Sequence, residues 1–295
     1  MITVFTPTYN RAHLLMNLYK SLLKQTQFNF EWVIVDDGST DNTKQVVDDI
    51  LKLNSPFDIR YYYQNNHGKH AAVNLGVDKA NGDKFFIVDS DDWLPENAIE
   101  KISFYFDSIL DKENFAGVGG LRLYPDNKSV GDTFNGNYLD CTTLERAKNK
   151  ILGDKAEVFY TDILKRFPFP VFDGENFISE ELVWARIAKA GYKIRWFNEG
   201  IYFCEYLEGG LTNTKDKEIK NFQGFKLRTK ELLTYKEISL KRKIIMVMIT
   251  GAAALKRNEK LSEVSKEIGL DVCTFCVLAY LGSLIKFIRR KFRNK

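Results

Sequence analysis

The first hundred residues alternate short apolar runs with stretches in which apolar residues recur every three or four positions. The short runs are rich in β-branched and aromatic residues, which is typical of strands, whereas the longer stretches have the period of amphipathic helices. Strands separated by such helices predict β-α-β units and a mostly parallel sheet. The predicted strands are 2–6, 31–35, 59–63 and 84–88, and the predicted helices are 14–23, a segment through Val46, Val47 and Ile50, and 71–79.

Beyond residue 100 the alternation becomes irregular. Two adjacent glycines, Gly209 and Gly210, predict a flexible hinge, and the pattern is helical from Lys215 onward. We therefore expect a first domain over 1–212 and a basic helical region over 213–295. The other predictions are a strand at 118–124, a loop at 126–137, a helix at 180–189 and short strands at 194–197 and 201–203.

The distribution of charge also divides the chain near residue 215. Residues 215–295 contain 20 Lys and Arg against 8 Asp and Glu, whereas residues 1–214 contain 23 against 31. A basic segment attached to an acidic body predicts an anionic partner for that segment.

The C-terminal pattern predicts contact with a membrane surface. The uncharged run 272–285 is 14 residues long and is followed by ten residues of which six are basic; a helix that spans a bilayer needs about 20 apolar residues. An apolar run beside a basic cluster is typical of a helix lying in the interface of an anionic membrane. The alternative is a buried helix with a solvated basic tail. We expect 270–295 to contact the membrane surface, and we expect no nucleic-acid partner because the run is too apolar for a simple basic arm.

The four cysteines are sparse and unevenly spaced, so no disulfide framework is predicted and a cytoplasmic compartment is expected. Cys273 and Cys276 have C-x-x-C spacing, but they form an isolated pair within an apolar run, which favours packing over metal binding. No signal peptide precedes the first predicted strand. Together with the membrane prediction, this places the expected location at the inner face of the cell membrane.

Polar clusters follow three of the four predicted strands. In open α/β sheets, ligands bind in the crevice at the carboxyl ends of the strands, and parallel strands end at the same edge. We therefore expect the clusters to converge on one ligand site. They are Pro7-Thr8-Tyr9-Asn10, Asp36-Asp37-Gly38-Ser39 and Asp89-Ser90-Asp91-Asp92.

The third cluster predicts a metal site. Asp89 and Asp91 are two positions apart, so in an extended strand end both carboxylates point to the same side. Oxygen ligands suit Mg²⁺ or Mn²⁺, which commonly complete their coordination with substrate phosphates. Asp92 belongs to the candidate metal set and is also the expected cap of a helix that begins near Pro95.

Two common nucleotide-binding motifs are absent from the sequence. Gly68-Lys69 occurs without the rest of a phosphate-binding loop, and Gly117-Val-Gly119-Gly120 lacks the third glycine of a dinucleotide fingerprint. ATPase and dinucleotide-binding functions are therefore disfavoured.

Three segments together resemble the nucleotide-sugar-binding half of family 2 glycosyltransferases with the GT-A fold. They are VFTPTYNRAHLL, FEWVIVDDGSTDNT and NNHGKHAAVNLGVDKANGDKFFIVDSDDWL, and the resemblance extends from residue 2 to about 207. It implies an α/β fold with a Rossmann-like, mostly parallel central sheet flanked by helices, to which this chain adds a C-terminal helical extension. It also implies inverting transfer of a sugar from a nucleotide-diphosphate donor, usually linked to UDP, with Mn²⁺ or Mg²⁺.

The resemblance assigns roles within the polar clusters. A ring such as Tyr9 would cover the nucleobase while the Asp37 carboxylate accepts a hydrogen bond from it, and Asp89 and Asp91 match the D-x-D metal motif. The alternative for the Asp36-Asp37 cluster is a polar turn that caps the next helix, and for Lys69 a solvated loop lysine. The implied donor-binding residues are Pro7, Tyr9, Asp36, Asp37, Lys69 and Ser90.

A second part of the resemblance is the segment FDGENFISEELVWARIAKAGYKIRWFNEGIY. The family has a Glu-Asp pair at a helix start here, and its second member is the general base. This chain has Glu180-Glu181 instead, so Glu181 occupies the position of the base and Glu180 remains an alternative. Favourable charge at a helix N-terminus would also explain the pair.

These features predict a metal-dependent inverting glycosyltransferase of the surface-polysaccharide type. The predicted acceptor is a glycan or a lipid-linked sugar, and single addition is expected because the Q-x-x-R-W motif of processive synthases is absent. The alternatives are a nucleotidyltransferase and a catalytically inactive nucleotide-sugar-binding module. A phosphoacceptor receiver domain is disfavoured because the acidic pair follows the second strand rather than the first.

Overall fold

The computed structural model describes residues 1–205 and 216–293. These residues form two compact units, the first comprising 1–169 and 183–205 and the second 170–182 and 216–293. The predicted hinge at Gly209 and Gly210, and with it the predicted domain boundary at residue 212, lies outside the described residues.

Eight strands of the first unit form one sheet. They are β1 (Ile2–Thr8), β2 (Phe30–Asp36), β3 (Asp58–Tyr63), β4 (Lys84–Ile87), β5 (Phe115–Leu123), β6 (Tyr138–Cys141), β7 (Lys155–Tyr160) and β8 (Lys193–Phe203). Their order in the sheet is β3-β2-β1-β4-β7-β5-β8-β6. The first four strands run parallel, as do β5 and β8, whereas β6 and β7 are antiparallel to their neighbours. The predicted α/β fold with a mostly parallel sheet is confirmed.

Helices flank the sheet and connect its strands. In the first unit they are α1 (Ala12–Leu23), α2 (Thr43–Leu51), α3 (Lys69–Lys79), α4 (Ala98–Asp107) and α5 (Thr161–Arg166), while α6 (Glu180–Lys189) begins in the second unit and continues in the first. All the strands and helices predicted in the first hundred residues form.

Burial on both faces explains why the first strands are almost continuously apolar. Every residue of β1 and β2 is buried, as expected for parallel strands covered by helices on each side. Val4 packs with Leu15 of α1 in the main core, whereas the next residue, Phe5, faces α3. A Cβ atom on Gly76 of α3 would lie 2.2 Å from the Phe5 ring, so only glycine allows this helix to approach the sheet so closely.

The structure differs from the sequence predictions in the second half of the sheet. Segments 194–197 and 201–203 are one continuous strand, β8, and the polar residues between them are accommodated by shifts in register against β5. Strands β6 and β7 and helix α5 were not predicted, whereas the helix expected near Pro95 forms as α4 and begins at Ala98.

A buried lysine closes the base of the long segment between β5 and β7, which includes the short strand β6. Lys155 is 3% exposed, and its ammonium donates to the carbonyl oxygens of Asp132 (2.9 Å), Leu152 (3.0 Å) and Val130 (3.4 Å). Burial lowers the pKa of this ammonium, while the three carbonyl oxygens provide acceptors for its N–H groups.

The described part of the second unit is helical beyond residue 216, as predicted. Its helices are α7 (Lys217–Lys220), α8 (Phe222–Leu233), α9 (Leu240–Lys256), α10 (Leu261–Ile268) and α11 (Val272–Arg293). Phe222, Val247 and Phe275 belong to its apolar core. Helices α9 and α11 pack closely at two glycines, because a Cβ on Gly251 would lie 2.5 Å from the Cβ of Ala279 and one on Gly282 would lie 2.3 Å from the Met248 carbonyl oxygen.

Among the described helices, none is by itself long and apolar enough to cross a membrane. By length and composition alone, α10 and the first fourteen residues of α11 would qualify only as a pair, and the two are bent by 110° relative to each other.

Candidate active site

The loops that follow β2, β1 and β4 lie side by side at one edge of the sheet. These strands are adjacent and parallel: Thr8 at the end of β1 is paired with Asp36 at the end of β2, and Phe5 is paired with Ile87 at the end of β4. The three polar clusters therefore start from neighbouring strand ends, which is the arrangement expected for a ligand site in an open α/β sheet.

Asn10 joins the first loop to the second. It has a left-handed backbone conformation (φ 53°), which asparagine tolerates better than most residues. Its side-chain oxygen accepts hydrogen bonds from the backbone N–H groups of Thr40 (2.8 Å) and Asp41 (3.2 Å). The backbone N–H of Asn10 donates to Ser39 Oγ (2.8 Å). These bonds fix the loop next to Tyr9, whose side chain is 47% exposed, whereas Pro7 is buried within β1.

Asp36 is a buried anchor of the second loop. Its carboxylate accepts hydrogen bonds from the Tyr61 hydroxyl and from the backbone N–H of Ser39, both at 2.8 Å. Asp36 is 1% exposed. Its hydrogen bonds are therefore made within the protein, and it supports the loop that carries Asp37.

Asp37 fixes the start of α3. One carboxylate oxygen accepts from Gln64 Nε2 (2.8 Å) and the His67 N–H (2.9 Å), and the other accepts from the Gly68 N–H (2.8 Å). Gly68 has φ 90° and ψ 160°, a conformation available essentially only to glycine. With 4% of its surface exposed, Asp37 holds the turn that places Lys69 at the first position of α3.

The acidic cluster forms a turn rather than an extended strand end. Strand β4 ends at Ile87, and the Asp92 N–H donates to the Asp89 carbonyl oxygen at 3.1 Å. The expectation that alternation along a strand aligns Asp89 with Asp91 is therefore wrong, because the chain has already turned. Ser90, between them, is 6% exposed.

Asp89 pairs with Lys69 in the structure. The ammonium lies 2.7 Å from the carboxylate, and the two side chains are 24% and 26% exposed. Burial alone would raise the pKa of Asp89, but the charges of Lys69 and Arg122 hold that pKa below its ordinary value. Arg122, which lies near the end of β5, was not among the predicted site residues.

The expectation that Asp92 caps a helix is wrong. The following helix, α4, begins at Ala98 with Asn97 at its N-cap position, and no side chain bonds there. Asp92 instead accepts a hydrogen bond from the buried hydroxyl of Tyr202 (2.6 Å), and the same hydroxyl accepts the Asp89 N–H (3.0 Å). Tyr202 thus connects β8 to both ends of the acidic turn.

The acidic turn has the donor chemistry that a hard divalent cation requires. Burial and the neighbouring Asp89 charge raise the pKa of Asp91, and the same two causes raise the pKa of Asp92 to about 7. A cation would relieve this repulsion, and carboxylate oxygens are the ligands that Mg²⁺ and Mn²⁺ prefer. Within the described ranges, no three His, Cys, Asp or Glu side chains are arranged to hold a metal by themselves. Asp89 and Asp91 would therefore share such an ion with a ligand that brings further oxygen atoms.

Glu180 and Glu181 begin α6, in the second unit. The Glu181 side chain is 25% exposed and forms ion pairs with Arg228 of α8 and Arg242 of α9. Neither arginine was predicted, because nothing in the sequence indicates that residues 47 and 61 positions away meet the same carboxylate.

The sequence and the fold of this chain are similar to those of known proteins. Residues 3–162, more than half of the chain, match the sequence profile of the family described as Glycosyl transferase family 2. Glycosyltransferase GlyG of Streptococcus pneumoniae serotype 4 is 27% identical over 234 residues, which cover 73% of this chain and 74% of GlyG.

Two solved structures are similar in fold. TarS of S. aureus, crystallised as residues 1–349 with UDP-GlcNAc, superposes with a TM-score of 0.64 at 20% identity, over 86% of this chain and 72% of that one. The mannosyltransferase PcManGT of Pyrobaculum calidifontis, solved with GDP-Man and Mn²⁺, has a TM-score of 0.58 at 18% identity, over 96% of this chain and 79% of that one. At these sequence identities, both comparisons establish similarity of fold and not of substrate.

Proposed function

Because this chain belongs to glycosyl transferase family 2, we propose that it moves a sugar from a nucleotide-diphosphate donor to an acceptor hydroxyl by metal-dependent inversion. The donor we favour is a UDP-sugar, and the acceptor is a glycan or a lipid-linked sugar. The observation that carries the proposal is the convergence of three features: the exposed Tyr9 ring after β1, the acidic turn after β4, and Lys69 at the start of α3, where the Asp37 carboxylate from the end of β2 holds the preceding turn. A nucleotidyltransferase receives no support from the family match.

The donor would bind across the three loops. Tyr9 offers an exposed ring on which a base can stack, and the Lys69 ammonium provides a positive charge for the diphosphate. Asp37 already accepts three hydrogen bonds, so its first contribution is to hold the turn before Lys69, and a contact with the nucleobase would use its remaining acceptor capacity. TarS and PcManGT bind UDP-GlcNAc and GDP-Man respectively, so the fold accepts either type of base.

Asp89 and Asp91 would hold the divalent ion together with the donor. When bound, this ion would neutralise charge that develops on the departing diphosphate. The Lys69 ammonium, at the start of α3, contacts the Asp89 carboxylate. It would provide one of the positive charges that stabilise the diphosphate. PcManGT, which shares the fold, was solved with Mn²⁺.

Inversion requires one base that removes the acceptor hydroxyl proton while the oxygen attacks the anomeric carbon. We assign this role to Glu181, with Glu180 as the alternative. A Glu181→Gln variant should lose transfer and keep donor binding, as measured by product formation and by UDP titration. Retained turnover would move the role to Glu180 or to another residue.

The deciding experiment is release of UDP or GDP from a panel of nucleotide sugars with Mn²⁺ present. We expect one or a few donors to be turned over, with activity lost when EDTA is added. An absence of both binding and hydrolysis for the whole panel would refute the proposal. Donor turnover that persists in EDTA would refute only the metal dependence.

We also propose that the second unit attaches the protein to an anionic membrane surface through α11. Four apolar side chains at helical spacing form an exposed stripe on this helix, while Phe275 and Ala279 on the other side are buried against the unit. The sequence after the stripe is basic, which fits an anionic leaflet. The stripe consists of Val277 (60% exposed), Tyr280 (62%), Leu281 (45%) and Leu284 (54%).

Because α11 also forms part of a core, substitution of exposed residues is a better test than deletion of 270–295. Replacing Val277, Leu281 and Leu284 together by serine should reduce sedimentation with phosphatidylglycerol vesicles at least tenfold. The matched control replaces the exposed Leu51, Leu53 and Leu110 of the first unit by serine and should bind vesicles as the unaltered protein does. Equal partitioning of the stripe variant and the control would contradict the membrane proposal. A membrane position would give the enzyme access to lipid-linked acceptors.

A further inference from the structure

Both carboxylate oxygens of Glu181 are held by arginines of the second unit. Arg228 donates to Oε2 from Nε (2.8 Å) and Nη2 (2.5 Å), and Arg242 donates to Oε1 from Nη2. Two donors at Oε2 fill the acceptor sites of that oxygen. The group that we assign as the base is therefore covered at both of the atoms that would receive a proton.

The two arginines bring more positive charge than Glu181 balances. Two guanidinium groups face one carboxylate, and Arg242 lies in the first turn of α9. Guanidinium groups bind phosphate through paired N–H donors as readily as they bind carboxylate. A phosphate could therefore take the place of the Glu181 carboxylate.

Arg242 is the more accessible arginine, and it lies beside apolar surface. It is 52% exposed, against 19% for Arg228. Leu240 before it is 72% exposed, and Ile244 and Ile245 after it are 37% and 45% exposed. Basic groups at the start of an apolar helix face match a molecule that carries a phosphate next to a hydrocarbon chain.

We propose that Arg228 and Arg242 bind the phosphate of a prenyl-phosphate-linked acceptor, and that this phosphate replaces Glu181 on the arginines. The inference rests on the proposed function and names its acceptor class. Glu181, once released, accepts the proton of the acceptor hydroxyl. The hydroxyl oxygen forms the new bond to the anomeric carbon, and the bond between that carbon and the diphosphate oxygen breaks with its electron pair going to the diphosphate. Acceptor binding and exposure of the base are then one event.

The test is calorimetric titration of geranyl phosphate into the full chain with its donor site saturated by UDP and Mn²⁺. Arg242→Gln and Arg228→Gln should weaken binding at least tenfold, while Glu181→Gln should tighten it at least threefold because the competing carboxylate is gone. A purely structural ion pair predicts no gain for Glu181→Gln. The matched control is Lys241→Gln, which removes one exposed charge from the same turn of α9 and should leave the affinity unchanged.

The outcomes separate the possible explanations. Equal affinity across all variants, or an equal loss in Lys241→Gln, would overturn the proposal, as would binding of dihexanoyl phosphatidylglycerol or inorganic phosphate as tightly as geranyl phosphate. Should Arg228→Gln fail to fold by circular dichroism, the half-exposed Arg242→Gln carries the test. The UDP titration that precedes each experiment tests the proposed function separately, because a chain that binds no UDP contradicts that function whatever the arginines bind.

Discussion

Substitution of Asp37 distinguishes two roles of its carboxylate, which are holding the turn before α3 and binding the nucleobase directly. The sequence alone could not distinguish them. Its carboxylate accepts the backbone N–H groups of His67 and Gly68, both from the turn before α3. In Asp37→Ala both N–H groups lose their partner, and at about 1–3 kcal/mol for each unpaired group the expected loss of stability is about 2–6 kcal/mol. Asp37→Asn keeps one acceptor oxygen but turns an NH₂ group toward at least one N–H, for an expected loss of about 1–3 kcal/mol. Either value is a large part of the ~5–15 kcal/mol by which a domain is typically stable.

Tryptophan fluorescence during urea unfolding measures this loss in the first unit alone. All four tryptophans of the chain, Trp32, Trp93, Trp184 and Trp196, belong to that unit. The control is Asp48→Asn, which removes a surface carboxylate paired with Lys44 and should change the free energy of unfolding by no more than ~0.5 kcal/mol. UDP affinity is measured on the same proteins.

The outcome that refutes the reasoning is a loss of UDP binding in Asp37→Asn without a measurable change in stability. Asp37 would then act on the nucleobase directly, and its three hydrogen bonds would contribute little. A loss of stability together with weaker UDP binding is the expected result, because the turn that positions Lys69 is loosened.

Three further predictions concern the metal, a buried histidine and the helix packing. Asp91→Asn should lower donor turnover by ~100-fold and raise the Mn²⁺ concentration needed for half-maximal rate, and an unchanged Mn²⁺ dependence would exclude Asp91 as a ligand. Burial, with a smaller contribution from His67, lowers the pKa of His70 to about 4, and neither ring nitrogen has a partner. Because the unfolded chain binds that proton at its ordinary pKa of 6.5, His70 lowers stability as pH decreases from 6.5 toward 4, opposite in sign to the contribution of Asp92. The test is therefore the urea midpoint of the unaltered chain minus that of His70→Leu, which should fall as pH decreases from 6.5 toward 4 and stay constant above 6.5. Gly251→Val should destabilise the α9–α11 contact by about 1–3 kcal/mol in urea unfolding followed by circular dichroism, whereas Ile245→Val on the exposed side of α9 should not.

Local pattern was enough to predict the first half of the sheet. Strands that are buried on both faces have continuous apolar runs, and the helices between them have a clear period, so each element of the first hundred residues could be recognised separately. Adjacent parallel strands then brought the polar loops to one edge, a consequence of topology that needs no knowledge of individual contacts.

The features of the site that were not predicted from the sequence depend on contacts between residues far apart in the chain. Tyr202 bonds to Asp92 across 110 positions, and this long-range bond, rather than a helix cap, satisfies the Asp92 carboxylate. The alternation rule for Asp89 and Asp91 failed because the strand ends at Ile87, before the cluster begins. An arginine near the end of a mostly apolar strand, as Arg122 is, was the one available signal for the cation near Asp89.

Lys155 has a consequence for how this enzyme could be re-engineered. Its buried ammonium donates hydrogen bonds to carbonyl oxygens near both ends of the segment between β5 and β7. The two ends are therefore held together by one side chain and by main-chain atoms. Main-chain carbonyls are present whatever side chains the intervening residues carry. The part of the segment before β6 can therefore be treated as an exchangeable cassette. Residues 133–137 can be randomised in a library while Lys155, strand β6 and the backbone around residues 130–132 and 152 are kept, so that the sheet is left unchanged.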